Sequence, residues 1–188
     1  MASFYSEEEL KNIGLKAVGK NVLLSKKASI YGANQISIGD NVRIDDFCIL
    51  SGKITFGNNI HIAAYTALYG GESGIDIGDF VGISTRCSIF AASDDYSGMT
   101  MSNPTIPDQY KNVFSAPVVI GRHMLMGSTC VILPGVTISE GCSFGSFSLV
   151  NKDTEPWTIN AGIPSKKIKD RSKDLLNLEK QYLQSKNK

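Results

Sequence analysis

Residues 36–62 read ISIGDNVRIDDFCILSGKITFGNNIHI, and a large apolar residue returns at every sixth position: Ile38, Ile44, Leu50, Phe56 and Ile62. Four residues after each stands a second inward candidate: Val42, Cys48, Ile54, Ile60 and Thr66. A helix needs a period near 3.6 and a strand a period of 2. A period of six suits neither. It suits very short strands joined by tight corners and wound into a coil. Gly39-Asp40-Asn41, Gly57-Asn58-Asn59 and Gly78-Asp79 fall at or near the corners. Positive φ is cheap there for Gly and tolerable for Asn and Asp.

The repeat runs on through Leu68, breaks for Glu72-Ser73-Gly74, and resumes at Ile77, Ile83 and Ile89. After a long interruption, Ile120, Met126, Ile132, Ile138, Phe144 and Val150 restore the phase. The partner positions hold Val81, Cys87, Met124, Cys130, Val136, Cys142 and Ser148. Internal repetition of this kind marks a solenoid, in which each coil buries its neighbour's apolar face.

These repeats, the segment Val118–Ser128 (VVIGRHMLMGS) and the ending Ala161–Lys166 (AGIPSK) resemble the left-handed β-helix acyltransferases built on hexapeptide repeats. The branch is that of sugar and xenobiotic O-acetyltransferases such as galactoside and maltose acetyltransferase. The chain is also similar overall to acetyltransferases of surface-polysaccharide pathways, whose acceptors include nucleotide-linked deoxyamino sugars. The resemblance covers nearly the whole chain. It implies an all-β fold, a left-handed parallel β-helix with three hexapeptides per triangular coil, against the usual crossover hand. The expected division is an N-terminal helix and irregular first coil over 1–35, the β-helix over 36–158 with a loop excursion at 93–117, and a C-terminal segment and helix over 159–188.

Composition agrees with an ordinary globular domain: 188 residues, 42% hydrophobic and 20% charged. Nineteen Lys and Arg nearly balance eighteen Asp and Glu, so no global field recruits nucleic acid or a membrane surface. The start MASFYSEEEL lacks a basic segment followed by an apolar run, and a cytoplasmic location is expected. Cys48, Cys87, Cys130 and Cys142 all occupy the small inward repeat position, where thiols pack as small hydrophobes. With two histidines and no CxxC, no metal site is expected.

Ser6-Glu-Glu-Glu9 before Leu10 and Ile13 reads as a capped helix that covers the solenoid's open end. Residues 93–117 have no repeat register and carry Pro104, Pro107, Tyr96, Tyr110 and Phe114. A semi-rigid arm of this kind is more often functional than idle, and the resemblance implies that it reaches a neighbouring subunit and walls the active site. After Val150 the pattern dissolves. Leu175, Leu176, Leu178, Tyr182 and Leu183 then fit a docked terminal helix, followed by a solvated basic tail with Lys186 and Lys188.

Acyl transfer from a thioester needs a cleft for the pantetheine arm, charges for the phosphates, donors for the oxyanion and a base for the nucleophile's proton. The resemblance implies acetyl-CoA as donor, a sugar or nucleotide-sugar acceptor, and a homotrimer with three equivalent clefts between its subunits. By position it places the Ser128 backbone at the thioester end and Ser146 one coil further on. Gly127 and Gly145 beside them let an extended ligand run close to the backbone. Asn151 and Lys152 match residues that contact the far portion of the cofactor, and Lys166 and Lys169 match basic residues near its phosphates. Trp157 either stacks on adenine or caps the last coil.

The family places a histidine where the third coil leaves for the long loop. This chain has Asp94 there, within Ile89–Asp94 (IFAASD). His61 sits at an outward repeat position one coil earlier, and His123 is expected to point outward as a surface residue. Histidine is a ready base near neutral pH, whereas an aspartate, with a reference pKa of about 3.9, is a weak one. It suffices, however, to hold an ammonium group and accept its proton. The leading expectation is therefore N-acetylation of a nucleotide-linked deoxyamino sugar in O-antigen-type biosynthesis, with Asp94 orienting the amine. The alternatives are O-acetylation of a sugar with His61 as base, or a non-catalytic trimeric scaffold.

Overall fold

The structure, a computed structural model, describes residues 3–186. Short parallel strands stack into three faces of a left-handed triangular prism. Face one holds Ala17–Val18, Ile36–Ile38, Val118–Ile120 and Thr137–Ile138 together with the later parts of Ile49–Phe56 and Ala67–Ile77. Face two holds Leu23–Leu24, Val42–Ile44, Ile60–Ile62, Gly82–Ile83, Leu125–Met126, Ser143–Phe144 and Thr158–Ala161. Face three holds Ser29–Tyr31, Ser88–Phe90, Val131–Ile132 and Leu149–Val150 with the earlier parts of the same two long strands.

Ile36 pairs with Ile54 and Val42 with Ile60, so one coil takes three hexapeptides, as the resemblance implies. The residues at both repeat positions are buried, from Ile38 and Val42 through Val150. Their burial is the reason the coils stack: no single coil can hide its own apolar interior. Glu72-Ser73-Gly74 do not interrupt the sheet. The strand Ala67–Ile77 carries them round the corner between faces three and one, and Ser73 Oγ meets Ser115 Oγ at 2.7 Å.

The corners meet the sequence expectation at Asn41 and Asn59, which have positive φ, but not at their glycines. Gly39, Gly57 and Gly78 do not have positive φ. Their missing side chains serve close approach, since a Cβ on Gly39 would lie 2.3 Å from the Gly57 carbonyl oxygen. Left-handed backbone falls instead on two columns of mostly non-glycine residues. One is Asn21, Asn41, Asn59, Phe80, His123 and Trp157 at corner one, between faces one and two. The other is Phe47, Tyr65, Arg86, Thr129 and Phe147 at corner two, between faces two and three. Such positions cost of order 1 kcal/mol each, and stacking offsets part of this, as between Phe47 and Tyr65 with ring centroids 5.0 Å apart.

The N-terminal helix Glu7–Asn12 has the full capping box between Ser6 and Glu9. Leu10 is buried, and Tyr5, Ile13 and Leu15 pack beside it. The excursion closes on itself through antiparallel pairing of Ala92–Ser93 with Phe114–Ser115, and the Phe114 ring turns toward Gly135 of the solenoid, whereas the tip of the arm stands out in solvent. Tyr96 is 94% exposed and Met99 84%.

The chain does not lose its register after Val150. Thr158–Ala161 adds a further parallel strand to face two, and Lys166–Asp170 folds back antiparallel on it. Trp157 caps this end, its ring lying over Gly141 where a Cβ would be 2.4 Å away. The helix Leu175–Lys186 then lies along corner one. His123 is not the outward residue expected: it is 7% exposed, stacked on Phe80, and bonded to Glu179 of that helix at 3.1 Å. Lys186 ends that helix, its Nζ 3.3 Å from the Asn59 side-chain oxygen, while Lys188 lies outside the described residues. No helix among the described residues is long and apolar enough to cross a membrane.

Candidate active site

Corner two carries a column of small residues directly after the face-two core positions. Going up the coils, it runs Ala63-Ala64, Ser84-Thr85, Gly127-Ser128, Gly145-Ser146 and Ala161-Gly162. Inside the prism, each level is pinned by a thiol or hydroxyl. Cys48 donates to the Ala63 carbonyl at 3.3 Å, Thr66 to Ser84 at 2.9 Å, Cys87 to Gly127 at 3.2 Å and Cys130 to Gly145 at 3.2 Å. The cysteines thus do more than fill space: they hold the corner carbonyls inward. Burial pushes the Cys48 thiol up to about 11. The Cys87 thiol is raised too, by its contact with the Cys130 thiol and by burial. These are inert groups.

The small, partly or fully exposed residues of this column leave its outer side open as a track, or channel, along the corner. The backbone N–H groups of Ser128 and Ser146 have no hydrogen-bond partner among the described residues. They are donors left free at the edge of the channel. A Cβ on Gly127 would lie 2.6 Å from the Ser146 nitrogen, so this level admits only glycine beside the next coil. Ser128 Oγ meets Ser84 Oγ at 2.9 Å. Ser84 was not singled out from the sequence, although its phase shows it: it follows Ile83 as Gly127 follows Met126 and Gly145 follows Phe144.

The channel's upper end meets the cations. The hairpin through Gly162–Ser165 brings Lys166 next to Ala161, and Lys169 stands opposite Ile159. Asn151 and Lys152 are exposed and line a depression with Ser165 and Lys167. Lys167 is taken by Glu155 and Asp170, whereas Lys152, Lys166 and Lys169 form no ion pair among the described residues. Of these four lysines, the three without an ion pair are those picked out from the sequence.

Asp94 lies elsewhere. The chain crosses face three along Ser88–Phe90 and leaves for the arm, so Asp94 stands at corner three, between faces three and one. That crossing takes about five residues, roughly 16 Å at the usual strand rise. Asp94 is exposed, and its carboxylate has no partner among the described residues. Its neighbour Asp95 is committed to Ser97 and Thr100. Between the two corners, the outer side of face three presents Ile49, Ala67, Tyr69, Phe90, Val131 and Leu149, with Tyr69 and Phe90 stacked at 5.1 Å.

His61 sits on face two, its Nε2 2.8 Å from Asp45, which Arg43 also meets at 2.7 Å. Burial opposes ionisation of Asp45, but the hydrogen bonds from His61 and Arg43 outweigh it and hold the carboxyl below its ordinary value. The imidazole nitrogen is thereby occupied. Among the described residues, no three His, Cys, Asp or Glu side chains gather as a metal site. The parts are therefore a backbone-lined channel with free donors and cations, and a free carboxylate on the opposite edge of one apolar face.

No protein-family model matches the chain. Among curated proteins, it is 46% identical to dTDP-4-amino-4,6-dideoxy-D-glucose acyltransferase from Escherichia coli, over 94% of this chain and 93% of that one. It is 31% identical to the putative lipopolysaccharide biosynthesis O-acetyl transferase WbbJ of Escherichia coli strain K12, over 74% of this chain and 70% of that one. Among solved structures, AntD, an N-acyltransferase from Bacillus cereus in complex with dTDP and 3-hydroxybutyryl-CoA, is 54% identical with a TM-score of 0.98, covering 100% of both chains. AntD has also been solved as S84A, S84C and S84T variants and as D94A and D94N variants. This chain carries Ser84 and Asp94.

Proposed function

The chain belongs to the hexapeptide-repeat acyltransferases, and on that premise we propose that it transfers the acetyl group of acetyl-CoA to the amine of a dTDP-linked 4-amino-4,6-dideoxyhexose. The observation that carries this reading is the pairing of a free carboxylate, Asp94, with a channel of free backbone donors that ends in unpaired lysines. From Ser84 to Ala161 the channel climbs three coils, about 14 Å at the usual strand spacing, close to the span of an extended pantetheine arm. A thioester at Ser84 and Ser128 then puts the phosphates near Lys166 and Lys169, with Asn151 and Lys152 beside the far portion.

Because one chain holds the channel and Asp94 on opposite edges of face three, a single copy cannot apply both to one substrate. Three copies with face three toward a common axis bring corner two of each beside corner three of the next. Such a homotrimer buries the apolar residues of face three and gives the exposed arm a neighbour to cover. It forms three equivalent clefts.

In each cleft, Asp94 holds the acceptor's ammonium group and takes its proton. The freed nitrogen attacks the thioester carbonyl carbon, and the Ser128 N–H meets the oxygen as it becomes negative. The tetrahedral carbon then expels the thiolate while the attacking nitrogen gives up its second proton, leaving a neutral amide on the sugar. Of the two protons lost from the ammonium group, one leaves on the departing sulfur as the thiol and the other passes to solvent. We assign the base to Asp94 rather than to His61, whose Nε2 is already held by Asp45. Both substrates are soluble charged molecules, consistent with a cytoplasmic enzyme of surface-polysaccharide biosynthesis.

The test is thiol release from acetyl-CoA with nucleotide-linked 3-amino and 4-amino deoxysugars beside galactosides and maltose. Turnover confined to amino sugars and cut by Asp94→Asn supports the reading. Turnover on hydroxyl acceptors that survives Asp94→Asn and dies in His61→Ala would overturn it in favour of O-acetylation.

A further inference from the structure

We infer that Arg86, held against Tyr65 at corner two, binds the diphosphate that links nucleoside to sugar in the acceptor. The inference rests on the acceptor class proposed above. Of the chain's four arginines, three are committed. Arg43 pairs with Asp45, Arg122 with Glu140 and Glu179, and Arg171 donates to the carbonyls of His123, Gly141 and Cys142. Arg86 is exposed and has no carboxylate or carbonyl partner for its guanidinium among the described residues. Its guanidinium lies instead over the Tyr65 ring, 5.6 Å from the centroid.

The setting pre-organises that fork. Arg86 is fixed in left-handed backbone at φ 59, its N–H bonded to the Ala64 carbonyl. Tyr65 stacks in turn on Phe47, which Lys27 covers from the other side at 5.4 Å. Both aromatic faces are therefore used, and no nucleobase can intercalate there. The guanidinium keeps its N–H edge free for two phosphate oxygens, which it suits better than an ammonium would.

Placement separates this cation from those of the donor. Arg86 lies two residues beyond Ser84, but its guanidinium leans over Tyr65, one coil below and away from Ser128, Ser146 and Lys166. A diphosphate on the sugar carbon across the ring from the reacting amine sits about one ring width from the thioester, within reach of an arginine at this point.

Isothermal titration of the full-length protein with dTDP and, separately, with CoA tests the assignment. Arg86→Ala should weaken dTDP roughly 10- to 100-fold and leave CoA unchanged. Arg86→Lys should recover part of the loss, and the KM for the nucleotide sugar should rise with that for acetyl-CoA unaltered. Unchanged dTDP affinity would overturn the inference. So would loss of both ligands together with trimer dissociation in light scattering, since Arg86 would then be a subunit contact. If wild type neither binds dTDP nor uses any nucleotide-linked amino sugar, the acceptor proposal itself fails, and that result is read before any variant is made.

Discussion

Two inactive variants, Asp94→Ala and Ser146→Trp, should rescue each other when their subunits are mixed. Ser146 is exposed, and its side chain makes no hydrogen bond among the described residues, so the fold tolerates the change. Gly127 lies beside it, with Ser146 Oγ only 2.9 Å from where a Cβ would be, so an indole there fills the channel. Removing Asp94 costs about 10²- to 10⁴-fold as loss of a positioned base. If each cleft takes its channel from one chain and its carboxylate from the next, random reassortment of equal amounts pairs an intact channel with an intact Asp94 in about one quarter of the clefts. The mixture, exchanged by mild denaturation and refolding, should then show about one quarter of wild-type turnover per chain. A cleft built within one chain would show none, because every chain carries one defect. Thiol release at saturating substrates reads the result. An inactive mixture whose heterotrimers are verified by mass spectrometry would refute the arrangement and return the site to a single chain.

Further outcomes test the scaffold. Gly39→Ala must push its Cβ away from a backbone oxygen 2.3 Å distant and should lower stability by about 1–3 kcal/mol in urea unfolding. The four buried cysteines should not react with a thiol reagent in the native protein, and all four should react after denaturation. Because the Asp45 carboxyl is held below its ordinary value, its pairing stabilises the fold at neutral pH and loses that effect as acid carries the pH down through the native value. His61→Ala should therefore cost less than about 1 kcal/mol near pH 7, with the gap to wild type closing below about pH 4, and leave turnover on amino sugars intact. Glu179→Ala takes away the carboxylate that holds His123 and one of the two carboxylates that hold Arg122 and should expose the helix Leu175–Lys186 to limited proteolysis while the solenoid survives.

The sixfold return of Ile38, Ile44 and Leu50 points to a solenoid by itself, because that spacing suits short strands joined by tight corners; that three hexapeptides make one coil came from the resemblance. Cys48, Cys87, Cys130 and Cys142 were legible as buried for the same reason, and the capping box at Ser6 and Glu9 because its partners are three residues apart. Gly127, Ser128 and the unpaired lysines were reachable through resemblance. Other features depended on which coils come into contact. The partnership of His123 with Glu179 spans 56 residues, and nothing local to either announces it. Ser84 became part of the channel only when the arm was looped out and its coil settled under Ser128. Arg86 stood out only once every other arginine had found a partner. The strand Thr158–Ala161 has little repeat pattern of its own and is strand because the coil beneath offers unpaired backbone. Periodicity sets what each residue does within its own coil, whereas a site assembled between coils depends on register, and register is decided by the packing of the whole stack.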